Sequence, residues 1–236
     1  MKKSHIATLI VFFVLIPLTL IVGSRLSGRA FYVTSTLVIV ELLIPFFLAF
    51  EGRRPQAREL VVLAVMCALA VAGRVAIPIP SFKAIFGIIM IAGIAFGPES
   101  GFLVGAISAL ASNFFYSQGP YTPWQMMAYG AGGMLAGFVF AEGRLPRKPV
   151  VMGIFGFLAV AFFVGPLLDT CSVFLVMSRI TLKGAMAFYI SGFPVNLRQA
   201  VATAIVLLVL GKPLLEKLDR IKTKYGILDD EGRKEA

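Results

Sequence analysis

Eight apolar runs, at approximately 5–22, 30–50, 59–78, 84–97, 99–117, 125–141, 150–177 and 192–210, occupy most of the 236 residues. Crossing the roughly 30 Å hydrocarbon core of a bilayer takes about 20 helical residues, and most of these runs reach that length. They are apolar throughout, without the every-second-residue alternation of a membrane β-barrel strand. Only 14% of the residues are charged and 58% are hydrophobic, whereas a water-soluble domain carries about 25% charged residues. So few charges cannot cover a surface against water. The expected fold is all-α, a polytopic membrane helix bundle.

The loops orient it. With the N-terminus in the cytoplasm and eight alternating spans, the cytoplasmic side collects Lys2, Lys3, Arg53, Arg54, Arg58, Arg144, Arg147, Lys148 and the basic residues after 210. The outer side keeps Arg25, Arg29, Arg74, Lys83, Arg179 and Lys183. That distribution obeys the positive-inside rule and the reverse violates it, so both termini are expected to be cytoplasmic in a multi-pass protein of the cell membrane. Met1-Lys2-Lys3 before an apolar run resembles a signal peptide, but no clear small-x-small cleavage site follows, and the run reads as a retained helix. The polar loop from Glu51 to Arg58 divides the chain. Residues 1–52 read as a two-helix transmembrane hairpin, 58–211 as a six-helix core, and 212–236 as a cytoplasmic amphipathic, charged tail. In that tail Leu214, Leu218, Ile221 and Tyr225 recur at helical spacing, which suits a membrane surface or a cytosolic partner. The run at 84–97 is short, with Pro98 a natural first residue of the next helix. The run at 150–177 is interrupted by Gly165-Pro166, predicting a kink or a tilt.

Several functions are poorly supported. His5 is the only histidine, and Cys67 and Cys171 are the only cysteines. Multi-histidine metal centres and histidine-dependent catalytic triads therefore lack their parts. An intramembrane protease lacks paired aspartates, since Asp169 is the one clear intramembrane aspartate. The net charge of +10 fits orientation and attraction to anionic lipid headgroups better than nucleic acid. No Gly-x-x-x-x-Gly-Lys-Ser/Thr phosphate loop occurs. No cofactor and no metal are expected.

Three small-residue stripes stand out, because helices in lipid associate where small side chains let backbones approach. Gly97, Gly101, Gly105 and Ala109 form one, Gly133, Gly137 and Ala141 another, and both read as internal packing. The third, Ala64, Ala68 and Ala72, suits either a neighbour in the bundle or a second subunit. On the outer side, Ser112 to Met126 carries no charge but combines the aromatics Phe114, Phe115, Tyr116, Tyr121 and Trp124 with the amides Asn113, Gln118 and Gln125. Gly119-Pro120 and Pro123 stiffen it. Rigid aromatics with a few neutral donors and acceptors are what a neutral organic ligand needs, although aromatic residues also gather at any membrane interface. A second outer segment, Arg74–Ala84, is kept extended by Pro78 and Pro80. A third, Arg179–Phe193, with Gly184, Gly192 and Pro194 as breakers, is expected to cover a cavity. Glu41, Asp169 and Arg198 lie within or beside spans, where charge is costly and by default functional or paired. For Asp169 and Arg198 both readings stay open, a mutual ion pair or contact with a ligand.

The Arg58-Glu-Leu start, the alanine stripe, Phe96-Gly-Pro-Glu-Ser-Gly-Phe-Leu-Val-Gly105 and the Gln118-Gly-Pro-Tyr-Thr-Pro-Trp-Gln125 loop together resemble S-components of energy-coupling factor (ECF) transporters. The resemblance covers roughly residues 58–215, and the loop looks most like the cobalamin-specific type. It implies a non-catalytic subunit that binds a vitamin at its outer face and docks on a T-component driven by two cytosolic ATPases. Cobalamin is the expected ligand, with riboflavin, thiamine, pyridoxine or a queuosine precursor as alternatives. A membrane scaffold without a soluble ligand is the alternative of another class. By the same resemblance, Ala64, Ala68 and Ala72 form the docking face. Ligand contacts fall on Pro80, Ser81, Phe82, Asn113, Phe114, Gln118, Tyr121, Trp124 and Gln125, closed by Asp169, Asn196 and Arg198.

Overall fold

The structure is a computed structural model that describes residues 11–15, 18–19, 22, 30–52, 56–140, 143–177 and 180–226. The described residues are helical throughout their regular structure. After a π-helical turn at Val11–Leu15 come α1 (Ala30–Gly52), α2 (Ala57–Val75), α3 (Ile85–Phe96), α4 (Pro98–Tyr116) and α5 (Thr122–Phe140). Next are α6 (Pro149–Ala159), a π-helical segment (Val160–Val164), α7 (Gly165–Val176) and α8 (Leu182–Tyr225). The continuous rod Pro149–Val176 and α8 are each long and apolar enough to cross a membrane.

The bundle is built around its shortest core helix. Every residue of α3 is buried, as its unbroken apolar sequence Ile-Phe-Gly-Ile-Ile-Met-Ile-Ala-Gly-Ile-Ala-Phe requires, since a helix apolar all round has no face to give to water. It contacts α2, α4, α5, α6 and α8. At its end Gly97 adopts φ 93°, ending the helix, and Pro98 opens α4 at once. Proline at the first helical turn loses no hydrogen bond, because that N–H has no partner in the helix anyway. The last carbonyls of α3 are capped from elsewhere. Arg147 Nη2 donates to Ile94 O at 3.1 Å and Lys222 Nζ to Ala95 O at 2.6 Å. Both cations also lie within ion-pair distance of Asp219.

Gly101, Gly105, Gly133 and Gly137 of the two glycine stripes are internal packing, as expected, whereas a Cβ on Gly97 would meet open space and Ala141 lies outside the described residues. A Cβ on Gly93 would strike the Gly133 carbonyl, and one on Gly101 would sit 2.7 Å from the Gly93 Cα and on the Gly133 carbonyl. Gly105 lies against the Tyr129 carbonyl, and a Cβ on Gly137 would be 2.6 Å from the Pro98 Cα. Helices α3, α4 and α5 thus meet backbone to backbone, where only glycine fits. By contrast Ala64, Ala68 and Ala72 are exposed on α2.

Two expectations change. Of the stretch 179–193, residue 179 lies outside the described residues, and from Leu182 the rest is not an irregular cover but helical and continuous with the last span, its N-cap Thr181 accepting from Gly184 N. Gly192 and Pro194 do not break it. Gly192 instead makes room for the Asp169 carboxyl, with which its Cβ would collide. The tail likewise continues α8 through Pro213 without a break, giving 44 residues, about 66 Å at 1.5 Å each. Leu215 and Leu218 are buried in the main core, and Leu214 and Ile221 pack on it. The apolar stripe of the tail therefore packs on the protein's own core. Residues 227–236 lie outside the described ones. The Gly165-Pro166 irregularity appears as the π-helical segment just before it, where the proline ring would otherwise meet the carbonyl of Phe162.

The N-terminal hairpin is described mainly through α1. Ile39 packs against Trp124 and Cys171, and Leu43 and Phe47 pack against Phe102. Helix α1 therefore covers the α4, α5 and α7 side and leaves α2 bare. Thr19 Oγ1 donates to Glu41 Oε1 at 2.5 Å.

Gly133→Val forces a branched side chain into the Gly101 backbone. It should destabilise the purified protein by at least about 3 kcal/mol, because neither backbone can give way. Ala64→Val on the open face should move the thermal midpoint little. A thermal melt of both variants in lipid nanodiscs checks this; similar midpoints would refute the interlock.

Candidate functional site: the outer mouth

The outer ends of α2, α4 and α5 are joined by one hydrogen-bond network. Asn113, fully buried in the last turn of α4, is its hub. Its Oδ1 accepts from Arg74 Nη1 at 2.8 Å. Its Nδ2 donates to Gln125 Oε1 at 2.8 Å and to Thr122 Oγ1 at 3.1 Å. Thr122 in turn donates to Gln118 Oε1 at 2.9 Å and accepts from Gly119 N at 3.2 Å. Gln118 Nε2 closes back on the Leu110 carbonyl at 3.0 Å. The three amides that the sequence singled out are thus brought together. Buried polar groups are affordable in an apolar bundle only when satisfied in this way.

The sequence reading missed Arg74 as a member of this site. Arg74 Nη1 also donates to Ser112 Oγ, and its guanidinium lies 4.9 Å from the Tyr116 ring centroid and 5.6 Å from that of Tyr129. Tyr116 OH returns a bond to the Arg74 carbonyl at 3.0 Å. The signal was present as a basic residue in the last turn of an otherwise apolar, alanine-striped helix, where a cation needs a reason.

The loops above the network are tightly tied. Ser81 (φ 57°) and Ser117 (φ 80°) are the non-glycine residues with positive φ among the described residues, one in each outer loop. Such strain collects at functional segments and must be held in place. Tyr121 OH holds Ser117 through its carbonyl at 2.7 Å. The first loop is held by Ala84 N to the Gly73 carbonyl (3.0 Å), by Lys83 N to Gln199 Oε1 (3.2 Å), and by Lys83 Nζ on the Ile77 carbonyl. Within it, Pro80 is exposed while Ser81 and Phe82 are half-buried.

The remaining expected residues lie apart from the amide network. Trp124 is 8% exposed and stacks on Phe174, with centroids 5.6 Å apart and planes at 27°. Tyr121, Met127, Ile39 and Cys171 complete that apolar cluster, and the buried indole Nε1 has no acceptor among the described residues. Phe114 points outward, 77% exposed. Asp169 does not pair with Arg198. Its Oδ2 accepts from Asn196 Nδ2 at 2.7 Å across the α7–α8 contact, next to a Thr170–Tyr189 hydroxyl pair at 2.8 Å. Arg198 is exposed and donates from Nε to the Pro194 carbonyl one turn back.

A second feature lies on the flank. Two apolar cavities border α2. One of about 600 Å³ is lined by Cys67, Ala68, Val71, Ala72, Val75, Ala76, Ala111 and Phe115. The other, about 250 Å³, lies between Leu69 and Ile88 on one side and Leu210, Pro213, Leu214 and Lys217 on the other. Ala68 and Ala72 of the alanine stripe thus form part of the wall of the larger hollow.

Fold and site together define a helical membrane protein with a charge-poor polar mouth at one end and a bare small-residue ridge along one flank. Residues 55–216, more than half of the chain, match the family model described as ECF-type riboflavin transporter, S component, and the protein belongs to this family. The matched stretch begins after α1 and ends inside α8. No curated protein and no solved structure matches the chain.

Asn113→Ala strands Gln125, Thr122 and Arg74 together. It should cost about 2 kcal/mol, the price of leaving buried donors and acceptors unpaired. Phe114→Ala, on an exposed side chain, should stay within about 0.5 kcal/mol. Thermal unfolding in nanodiscs checks both, and an unperturbed Asn113→Ala would show that the network holds nothing together.

Proposed function

We propose that this protein is the substrate-binding subunit of an ECF-type importer, taking up riboflavin at the outer mouth and passing it inward through a T-component powered by two cytosolic ATPases. Family membership carries the class, and the riboflavin named in the family's description gives the ligand. The amides Gln118 and Gln125, positioned through Thr122 and the buried Asn113, support it chemically. Riboflavin presents a flat ring with an edge of alternating carbonyl and N–H groups, and side-chain amides offer both donors and acceptors to such an edge. The aromatics of the outer loops, Phe82 and Tyr121 among them, suit its faces, and Pro80 and Ser81 lie on the loop above. Trp124, Asp169, Asn196 and Arg198 complete the mouth as supports of its walls.

Cobalamin, favoured by the loop resemblance alone, is the competing ligand. It is far bulkier, and the short hydrogen bonds that draw the outer ends of α2, α4 and α5 together favour the smaller, flatter molecule.

Ala64, Ala68 and Ala72 are the proposed docking face for the T-component. Exposed alanines, two of them lining an apolar hollow, let a partner helix approach closely and slide, which bulky side chains would prevent. The proposed topology places both termini in the cytoplasm, with the Arg147–Asp219–Lys222 cluster at that end.

Riboflavin fluorescence should be quenched on titration with the purified protein in nanodiscs, whereas cobalamin added in excess should not displace it. Trp124→Ala should weaken binding about tenfold, or about 1.4 kcal/mol, by loosening the first turn of α5. Displacement by cobalamin would transfer the assignment to that vitamin, and binding of neither would leave a scaffold role. Ala68→Arg should retain riboflavin binding but fail to copurify with the T-component; transport by this variant would refute the docking face.

A further inference from the structure

Arg74 stands where the two halves of the proposed function meet. It is in the last turn of α2, two residues beyond Ala72 of the docking ridge, yet its side chain reaches across to α4. No carboxylate among the described residues pairs with it. Its charge is met instead by neutral oxygens of Ser112 and Asn113 and by the faces of Tyr116 and Tyr129. A guanidinium within cation–π range of two rings, with one nitrogen donating to two acceptors, has little freedom to adjust. When α2 moves, Arg74 moves with it.

We propose that Arg74 is a positioning residue that carries the seating of α2 on its partner to the ligand mouth. This rests on the docking role proposed for α2. Asn113 is the receiving end. Its oxygen is taken by Arg74 and both its N–H groups by Thr122 and Gln125, so in the present arrangement the protein uses its whole donor capacity. Withdrawal of Arg74 leaves a buried carbonyl oxygen without its cation. That is costly, and the cost is relieved when Asn113 turns and releases Gln125 and Thr122. Thr122 holds Gln118 and Gly119, so the loop from Ser117 to Tyr121 loosens in the same event. The mouth thus has a latched arrangement, with its amides bound to one another, and a released one. Lysine reproduces only part of this contact, because its ammonium can donate to both oxygens but has no planar face to set against the Tyr116 and Tyr129 rings.

The test uses the full chain with Ser117→Cys, labelled with bimane and placed in nanodiscs; the native Cys67 and Cys171 are buried. Adding the T-component with its ATPases should shift the bimane emission. In Arg74→Lys the complex should still form, seen by coelution, but the shift should be at least threefold smaller. Asn113→Ser breaks the same link from the other side and should show the same loss, which keeps the test valid should Arg74→Lys not fold. A full-sized shift in either variant, or no shift in the parent on assembly, overturns the proposal. Riboflavin titration of the same samples separates the two readings: a parent that shifts on assembly but does not bind riboflavin loses its ligand assignment and keeps the coupling.

Discussion

The backbone contact among Gly93, Gly101 and Gly133 is the constraint on which the rest of the structure depends. Lipid provides no hydrophobic drive for helices to associate, so close approach and van der Waals packing must hold the bundle together. Three helices touching through glycine leave no room for slippage, and α3, enclosed on every side, becomes the axis. Its two ends then define two environments. At its C-terminal end its carbonyls are capped by Arg147 and Lys222, which fasten the long tail of α8 to the core. At the other end the loops around Ser81 and Ser117 close over a network of amides.

The same packing explains why the two proposed surfaces do not compete. Helix α1 occupies the side formed by α4, α5 and α7, and covers Trp124 there. Helix α2, on another flank, keeps its alanines bare, with Ala68 and Ala72 lining an apolar hollow. A ligand mouth at the end of the bundle and a partner ridge along its side can both be occupied at once. Arg74 is the physical link between them, a cation whose enthalpy comes from oxygens on one helix and rings on two.

Features set by local composition were legible in the sequence. The apolar runs between 30 and 177 become helices within a few residues of their expected ends, because length and unbroken hydrophobicity leave the backbone no alternative. The glycine stripes were readable as contact faces for the same reason. Features set by pairing between distant helices were not. Nothing local shows that Asp169 meets Asn196 rather than Arg198, or that Trp124 turns toward Phe174 while its neighbour Gln125 turns toward Asn113. Proline and glycine misled twice in α8. Within a long packed helix Pro194 and Pro213 lose one hydrogen bond each, and tertiary contacts outweigh that loss. Gly192 reads as a breaker but serves as a recess for a carboxyl group.

Hydrogen–deuterium exchange on the nanodisc-embedded protein, with and without riboflavin, reaches the central claim most directly. Bound vitamin should slow exchange in residues 76–84 and 117–126 and leave 64–72 unchanged. Protection confined to the alanine helix, or none anywhere at saturating riboflavin, would contradict a ligand mouth at the outer end of the bundle.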